Sequence, residues 1–178
     1  MTGSRADLFR TAAGRFPTGV TVLTTLADGE PFGMTANAFM SLSLDPLLVA
    51  VGLGTRSRAH GYVRGSGRFA VTVLSDRQTG AARRFADPAR PVGADAFAAD
   101  DWKRGPATGC PVLLDGVGYF DCTVHSVHTA GDHALVVGRV DDFGPLAGVR
   151  PLVFVDSAFA ATATDPTLPS TGTLGART

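Results

Sequence analysis

The sequence predicts a mainly antiparallel β-barrel with a few short helices, and three observations carry that prediction. Runs rich in Thr and Val flank Ala27-Asp28-Gly29-Glu30, where Asp-Gly supplies the backbone freedom of a tight hairpin. A longer hairpin runs from Gly116 to Thr129 and returns from Asp132 to Phe143, turning at Ala130-Gly131. Strands joined mostly by hairpins, with helices few and short, fit an antiparallel barrel better than a doubly wound sheet. At 178 residues the chain is expected to be one domain with a substantial core.

Leu8, Ala12 and Phe16 recur near helical spacing, so Asp7 to Arg15 reads as a short helix stopped by Pro17. Thr18 to Leu26 alternates as a strand does, with Val20, Val22 and Thr24 on one face and Thr21, Leu23 and Thr25 on the other. Beyond the Asp-Gly turn, Gly33 to Pro46 reads as an extended strand that leaves its hairpin partner for a loop of small polar residues. Short side chains there leave backbone N–H and C=O groups within reach of a flat polar ligand. Leu47 to Leu53 is nearly all apolar, as in a strand buried on both faces. Gly54-Thr55-Arg56-Ser57 then leads into a helix, Arg58 to Arg64. Phe69, Val71 and Val73 alternate in another strand, and Asp76 to Phe85 forms an amphipathic helix capped by Ser75 or Asp76. Asp87 to Pro111 is irregular, anchored by Phe97 and Trp102, and Pro151 to Val155 is the last short strand. The domain is expected to span residues 1–160, with 161–178, rich in Thr, Pro, Ser and Gly, as a flexible tail.

Lys+Arg and Asp+Glu both number 16, and the basic stripe of a nucleic-acid binder is missing. No apolar run approaches the ~20 residues that span a bilayer. The N-terminus lacks a charged segment followed by an apolar core, so a cytoplasmic location is expected. Cys110 and Cys122 make no C-x-x-C and read as two reduced thiols. Only 18% of residues are charged and Gly, Ala and Val abound, which points to apolar surface covered by a second subunit.

Gly52-Leu53-Gly54 follows a strand and precedes a helix, the setting of a dinucleotide-binding turn. Ser57 replaces the third glycine, however, and an Asp-Gly hairpin does not belong in a parallel sheet. Ser57, flanked by Arg56 and Arg58 at a helix N-terminus, offers a hydroxyl, N–H donors and positive charge to a phosphate. The same three residues serve as well as a cap with two solvated arginines. Cys122, His125, His128 and His133 crowd one hairpin without converging, since Cys122 and His125 face opposite ways on a regular strand. No metal site is expected from them. G-x-S-x-G, H-E-x-x-H and P-loop patterns are absent from the sequence, and Asp132-His133 has no marked serine nucleophile to complete a triad. His133 is left as a histidine beside a turn, at the first residue of a strand.

Several blocks stand in a telling order: Phe16-Pro17-Thr18-Gly19-Val20-Thr21-Val22, Gly33-Met34-Thr35-Ala36-Asn37, Ser41-Leu42-Ser43-Leu44-Asp45-Pro46, Phe69-Ala70-Val71-Thr72-Val73-Leu74, Arg84-Phe85-Ala86, Gly131-Asp132-His133, Gly138-Arg139-Val140 and Pro151-Leu152-Val153-Phe154. In these, from about Phe9 to Phe159, the chain resembles the short-chain flavin reductases. Those are FMN-binding split-barrel proteins that serve as reductase components of two-component flavin-dependent monooxygenases. The resemblance implies an NAD(P)H:flavin oxidoreductase that reduces FMN or FAD with NADH or NADPH and releases the product to a partner monooxygenase. It also implies a homodimer with the flavin near the subunit interface.

By position, the resemblance lays Thr35, Ala36, Asn37 and Ala38 along the isoalloxazine, and Ser41 and Gly52 beside the ring and ribityl chain. It places Ser57, with Arg84 and Phe85, near the phosphate. His133 becomes the one side chain with a part in the chemistry, associated with the nicotinamide. The family usually has Ser at the position of Ala38, so one hydroxyl donor is lost and an altered flavin affinity is expected. A non-enzymatic flavin carrier or redox sensor would share Thr35 to Ser43 but has no need of His133. An oxidase of the pyridoxamine-phosphate type would need a basic substrate-phosphate pocket, which the sequence does not reveal.

Overall fold

The computed structural model describes residues 3–100 and 102–162. In chain order these form α1 (Arg5–Gly14), β1 (Thr18–Gly19), β2 (Thr21–Ala27), β3 (Glu30–Ala36), β4 (Phe39–Leu44) and β5 (Leu47–Gly54). There follow α2 (Arg58–Ser66), β6 (Arg68–Val73), α3 (Thr79–Ala86), β7 (Trp102–Arg104), β8 (Pro111–Leu113), β9 (Gly118–Ala130), β10 (His133–Pro145), β11 (Leu152–Val155) and β12 (Ala158–Ala161). Seven strands make one antiparallel sheet in the order β3-β2-β6-β9-β10-β5-β4. Its two edge strands, β3 and β4, are consecutive in the chain and joined by Asn37-Ala38 alone. Laid flat, seven strands span about 29 Å, whereas the link from Ala36 to Phe39 reaches at most ~11 Å. The sheet therefore curls until its edges approach one another at this link.

Both faces of β2 are covered, and all seven of its residues are buried. Leu23 faces inward with Phe32, Val51, Phe69 and Val136. Val22 and the preceding Val20 face outward against Leu74, Phe85, Phe97 and Leu152. The buried threonines of this strand keep partners: Thr21 donates to the Ala36 carbonyl at 2.6 Å, Thr24 to Pro111 at 2.6 Å and Thr25 to Arg68 at 2.7 Å. At the β2–β3 turn Asp28 and Gly29 both have positive φ, 52° and 89°, as a two-residue hairpin on twisted strands requires.

The structure departs from expectation in a few places. Thr18-Gly19 separates from β2 to pair with β11, making a small second sheet with β12. β12 is unexpected from composition; it folds back so that Phe159 packs against Phe154 at 5.6 Å. A 3₁₀ turn, Asp76–Gln78, precedes α3, and the Gln78 side chain accepts from the Ser75 N–H at 3.0 Å. Within the stretch expected to be irregular, β7 and β8 form a short hairpin, while Phe97 is fully buried against Trp102 as an anchor should be. Ser4 caps α1 reciprocally with Asp7, yet α1 buries none of its side chains. Of the expected tail, residues 161–178, Ala161 closes β12, and 163–178 lie outside the described residues. No helix among the described residues is long and apolar enough to cross a membrane.

Candidate active site

Three strand ends meet where the sheet curls. The Gly52 N–H, near the end of β5, donates to the Ala38 carbonyl at 2.8 Å. A Cβ on Gly52 would come within 3.1 Å of the Ala38 methyl, so the crossing calls for the smallest residue. The start of β10 is fastened to the same loop, because the Thr55 N–H and hydroxyl both donate to the Asp132 carbonyl, at 2.9 and 3.0 Å. His133 thereby stands in register with Gly54. Its Nδ1 lies 2.8 Å from the Asp132 carboxylate, and that hydrogen bond holds the Asp132 carboxyl below its usual range. An ionised carboxylate only accepts, so Nδ1 is the donor in this pair and Nε2 is left pointing away from Asp132.

Beside this rim is a cavity of about 320 Å³ lined by Met34, Thr35, Ser57, Arg58, Pro88 and Arg90, among others. Ser57 caps α2, its hydroxyl accepting from the His60 N–H at 3.2 Å. Arg58 donates to the Pro88 carbonyl at 3.0 Å, and Arg90 donates to the carbonyls of Gly33 at 2.7 Å and Asp87 at 2.8 Å. Both guanidiniums sit over the buried Phe32 ring, at 5.6 and 4.9 Å from its centre. Burial, then the charge of Arg58, lowers the pKa of Arg90, with Asp87 acting the other way. An exposed Arg58 and a part-buried Arg90 share one ring, and among the described residues no carboxylate lines the cavity. An anion entering it would relieve that repulsion.

The structure brings together Thr35, Ala36, Asn37, Ala38, Gly52, Ser57 and His133 around this rim. Thr35 lines the cavity, but its hydroxyl is committed to the Ala82 carbonyl at 2.7 Å, tying β3 to α3. Ala36 is buried, whereas Asn37 and Ala38 are exposed. Three expected residues lie elsewhere. Ser41 pairs with Val49 and lines a separate apolar groove of about 140 Å³ with Leu44, Phe120 and Phe143. Arg84 is ion-paired with Asp100 and donates to the Ala96 carbonyl at 3.2 Å, in a different cavity from Ser57. Phe85 is fully buried, 5.0 Å from Phe97. Its ring fills the space beneath Gly33, where a Cβ would come within 2.6 Å of it. Phe85 thus supports the floor of β3.

Arg90 was not foreseen. It lies in a segment without periodicity, and its partner Gly33 is 57 residues earlier. Neither cysteine is a nucleophile, because burial pushes the Cys110 thiol up to about 11 and the Cys122 thiol higher still.

A curled antiparallel sheet, with a two-arginine cavity along its β3 edge and a histidine at the start of β10, defines a barrel-like class of β protein. Residues 13–163 match the flavin reductase like domain family, and the chain belongs to that family. It is 38% identical over 164 residues to the reductase subunit HsaB of a flavin-dependent monooxygenase from Rhodococcus jostii, covering 91% of this chain and 80% of HsaB. A probable flavin reductase of Rhizobium meliloti is 44% identical over 135 residues, which is 75% of this chain but 42% of that longer protein. Among solved structures, the NADH:FAD oxidoreductase SgcE6 of Streptomyces globisporus superposes with a TM-score of 0.84 at 35% identity, covering 92% of this chain and 98% of SgcE6. SgcE6 has also been solved in complex with NAD and FAD fragments, at the same TM-score and 34% identity, covering 93% of this chain and 98% of that one.

Proposed function

We propose that this chain is an NAD(P)H:flavin oxidoreductase that reduces FMN or FAD and supplies the reduced flavin to a separate flavin-dependent monooxygenase. Family membership supports the activity, and the relatives that are monooxygenase reductase subunits support the partner. The observation that carries the site is the two-arginine cavity opening beside the Ala38–Gly52 crossing. A flavin fits these residues, with its phosphate held by Ser57, Arg58 and Arg90. The exposed backbone of Asn37-Ala38 and the Asn37 amide meet the polar edge of the ring. When bound, the flavin supplies the hydride-accepting chemistry and leaves in reduced form.

The protein's own part is to bind, orient and let go. His133, its Nδ1 anchored on Asp132, offers Nε2 as an acceptor for the carboxamide N–H of the nicotinamide. Ala38 contributes backbone groups only. This favours a hold loose enough for release.

The curled sheet reads as a split barrel whose seam lies between β3 and β4, and the protein acts as a homodimer. Every side chain of α1 lies uncovered, with Leu8, Phe9 and Phe16 exposed by 66%, 73% and 74%. Met40, Leu42, Leu44 and Phe143 form a second exposed apolar set near β4. A second copy would cover such surfaces. The cytoplasm, where reduced nicotinamide is regenerated and thiols stay reduced, is the setting this chemistry needs. The test is anaerobic mixing with NADH or NADPH and each of riboflavin, FMN and FAD. Bleaching of the oxidised-flavin band by catalytic amounts of protein is expected. Flavin binding with no bleaching by either donor would return the protein to the carrier reading.

A further inference from the structure

The tip of the β9–β10 hairpin is held to the sheet along one side only. Arg68 with Thr123 is the last pair between β6 and β9, and beyond it only the Val124 N–H reaches that side, at the Gly67 carbonyl. From His125 to Ala130, β9 pairs with β10 alone. On the other side β5 ends at Gly54, in register with His133. The tip, with Gly131 at a φ of 63° in its turn, is thus tied to the barrel where β10 meets β5. Thr55 makes the outermost tie there, its N–H and hydroxyl both donating to the Asp132 carbonyl at 2.9 and 3.0 Å.

We infer that Thr55 is a positioning residue, which holds His133 at the place where it receives the nicotinamide. The inference rests on the flavin-reductase reading of the preceding section and on the part given there to His133. The Asp132 carbonyl and the His133 N–H belong to one planar peptide unit, so fixing the carbonyl fixes the direction in which His133 leaves the backbone. The Asp132 carboxylate then sets the ring, at 2.8 Å from Nδ1. Backbone and ring are held separately, and Thr55 supplies the first of the two. Thr55 is itself fixed from the other side. Its carbonyl lies 3.1 Å from Nδ1 of His60, and a carbonyl can only accept, so Nδ1 is the donor. The His60 N–H in turn donates to the Ser57 hydroxyl, and the Ser57 N–H to the Gly54 carbonyl at 2.9 Å. The first turn of α2 therefore anchors the loop that reaches across to His133. With its side chain 57% exposed, His133 has little packing of its own to hold it. A threonine with both donors committed to one carbonyl stands in for that packing.

Thr55→Val keeps the branched shape and the backbone N–H but removes the hydroxyl donor. With FMN saturating, KM and kcat are measured for the donor the wild type uses, NADH or NADPH. Thr55→Val is expected to raise KM for that donor about threefold, the scale of one hydrogen bond, with kcat within about twofold of wild type. Thr55→Ser keeps a hydroxyl and is expected to recover most of the affinity, while Thr55→Ala, which lacks it, should match Thr55→Val. The deciding comparison is a double-mutant cycle with His133→Ala. In that background Thr55→Val should raise KM no further, because the residue it positions is gone. The same rise with and without His133 would make Thr55 a structural residue of the loop and overturn the inference. So would an unchanged KM in both Thr55→Val and Thr55→Ala, or an equal rise in KM for FMN, which would tie the hydroxyl to the Ser57 end of the loop. A wild type that reduces no flavin, or a His133→Ala variant with an unaltered KM for the donor, would instead defeat the underlying reading itself, and the inference with it.

Discussion

Two cavities border α3, each lined by two arginines, and they differ in the carboxylates that accompany those arginines. Arg77 and Arg84 share theirs with Asp100 and Asp115, and Arg84 is paired with Asp100. Arg58 and Arg90 share theirs with Ser57, Thr35 and apolar residues, and their hydrogen bonds go to backbone carbonyls, with the Asp87 carboxylate acting on Arg90 from outside the lining. What sets the second apart is its lining, two guanidiniums with no carboxylate among the described residues, rather than the number of arginines. A carbonyl dipole positions a guanidinium without neutralising it, so the cation keeps most of its pull on an incoming anion.

The largest test of this contrast is Arg90→Met. It removes a charge-assisted contact worth about 2 kcal/mol, so KM for FMN is expected to rise ~30-fold. Riboflavin, which has no phosphate, is the control, and its KM is expected to stay near the wild-type value. An equal loss with riboflavin would mean that Arg90 only props up β3 through the Gly33 carbonyl.

Beneath the same strand, Gly33→Ala separates floor from rim. The added methyl would lie 2.6 Å from the Phe85 ring, which is itself packed on Phe97. Overpacking of that kind costs about 2 kcal/mol, read as a lower midpoint in urea. Gly52→Ala meets only the Ala38 methyl at 3.1 Å. Its effect is expected mainly in flavin affinity, through a displaced β3–β4 crossing, with a smaller change in stability.

Much of the scaffold was legible because it rests on local signals. The Asp28-Gly29 turn, the all-apolar Leu47–Leu53 run and the Ser57 cap of α2 each declare themselves within a few residues. The closing of the sheet was harder to see. That β3 and β4 are opposite edges follows from β10 pairing back onto β5, about eighty residues earlier, which no local pattern records. Arg84 and Phe85 both lie away from the Ser57 cavity, and for one reason. A sequence block fixes neighbours along the chain, but successive helix residues point about 100° apart. On α3 that rotation sends Phe85 into the core and Arg84 to Asp100. Ser41 fell outside for a related reason, since the rim ends where β4 begins and the strand carries Ser41 on toward Phe143.

Arg84→Met probes the balanced cavity. Asp100, with its side chain 11% exposed, would lose its ion-pair partner, while the 28% exposed guanidinium gives up a contact partly screened by water. A stability loss of about 1–2 kcal/mol is expected from a pair at this depth, intermediate between exposed and buried pairs. KM for FMN should stay within about twofold of wild type. A rise matching that of Arg90→Met would erase the distinction between the two cavities.

The smallest expected effect belongs to His133, and it separates holding a flavin from using a nicotinamide. The ring is more than half exposed, so its contact with a carboxamide competes with water and is worth about 1 kcal/mol. His133→Ala should therefore raise KM for the reduced nicotinamide about fivefold, with flavin binding by fluorescence quenching unchanged. His133→Gln restores an acceptor and should recover part of that loss. Asp132→Asn is the subtler variant, because an amide can donate to Nδ1 as well as accept from it, and the tautomer is no longer imposed. If it raises the same KM while leaving kcat unaltered, the Asp132–His133 pair acts by orientation. A fall in kcat instead would mean that His133 moves a proton during turnover, and the division of labour argued here between the rim and the cavity would have to be redrawn.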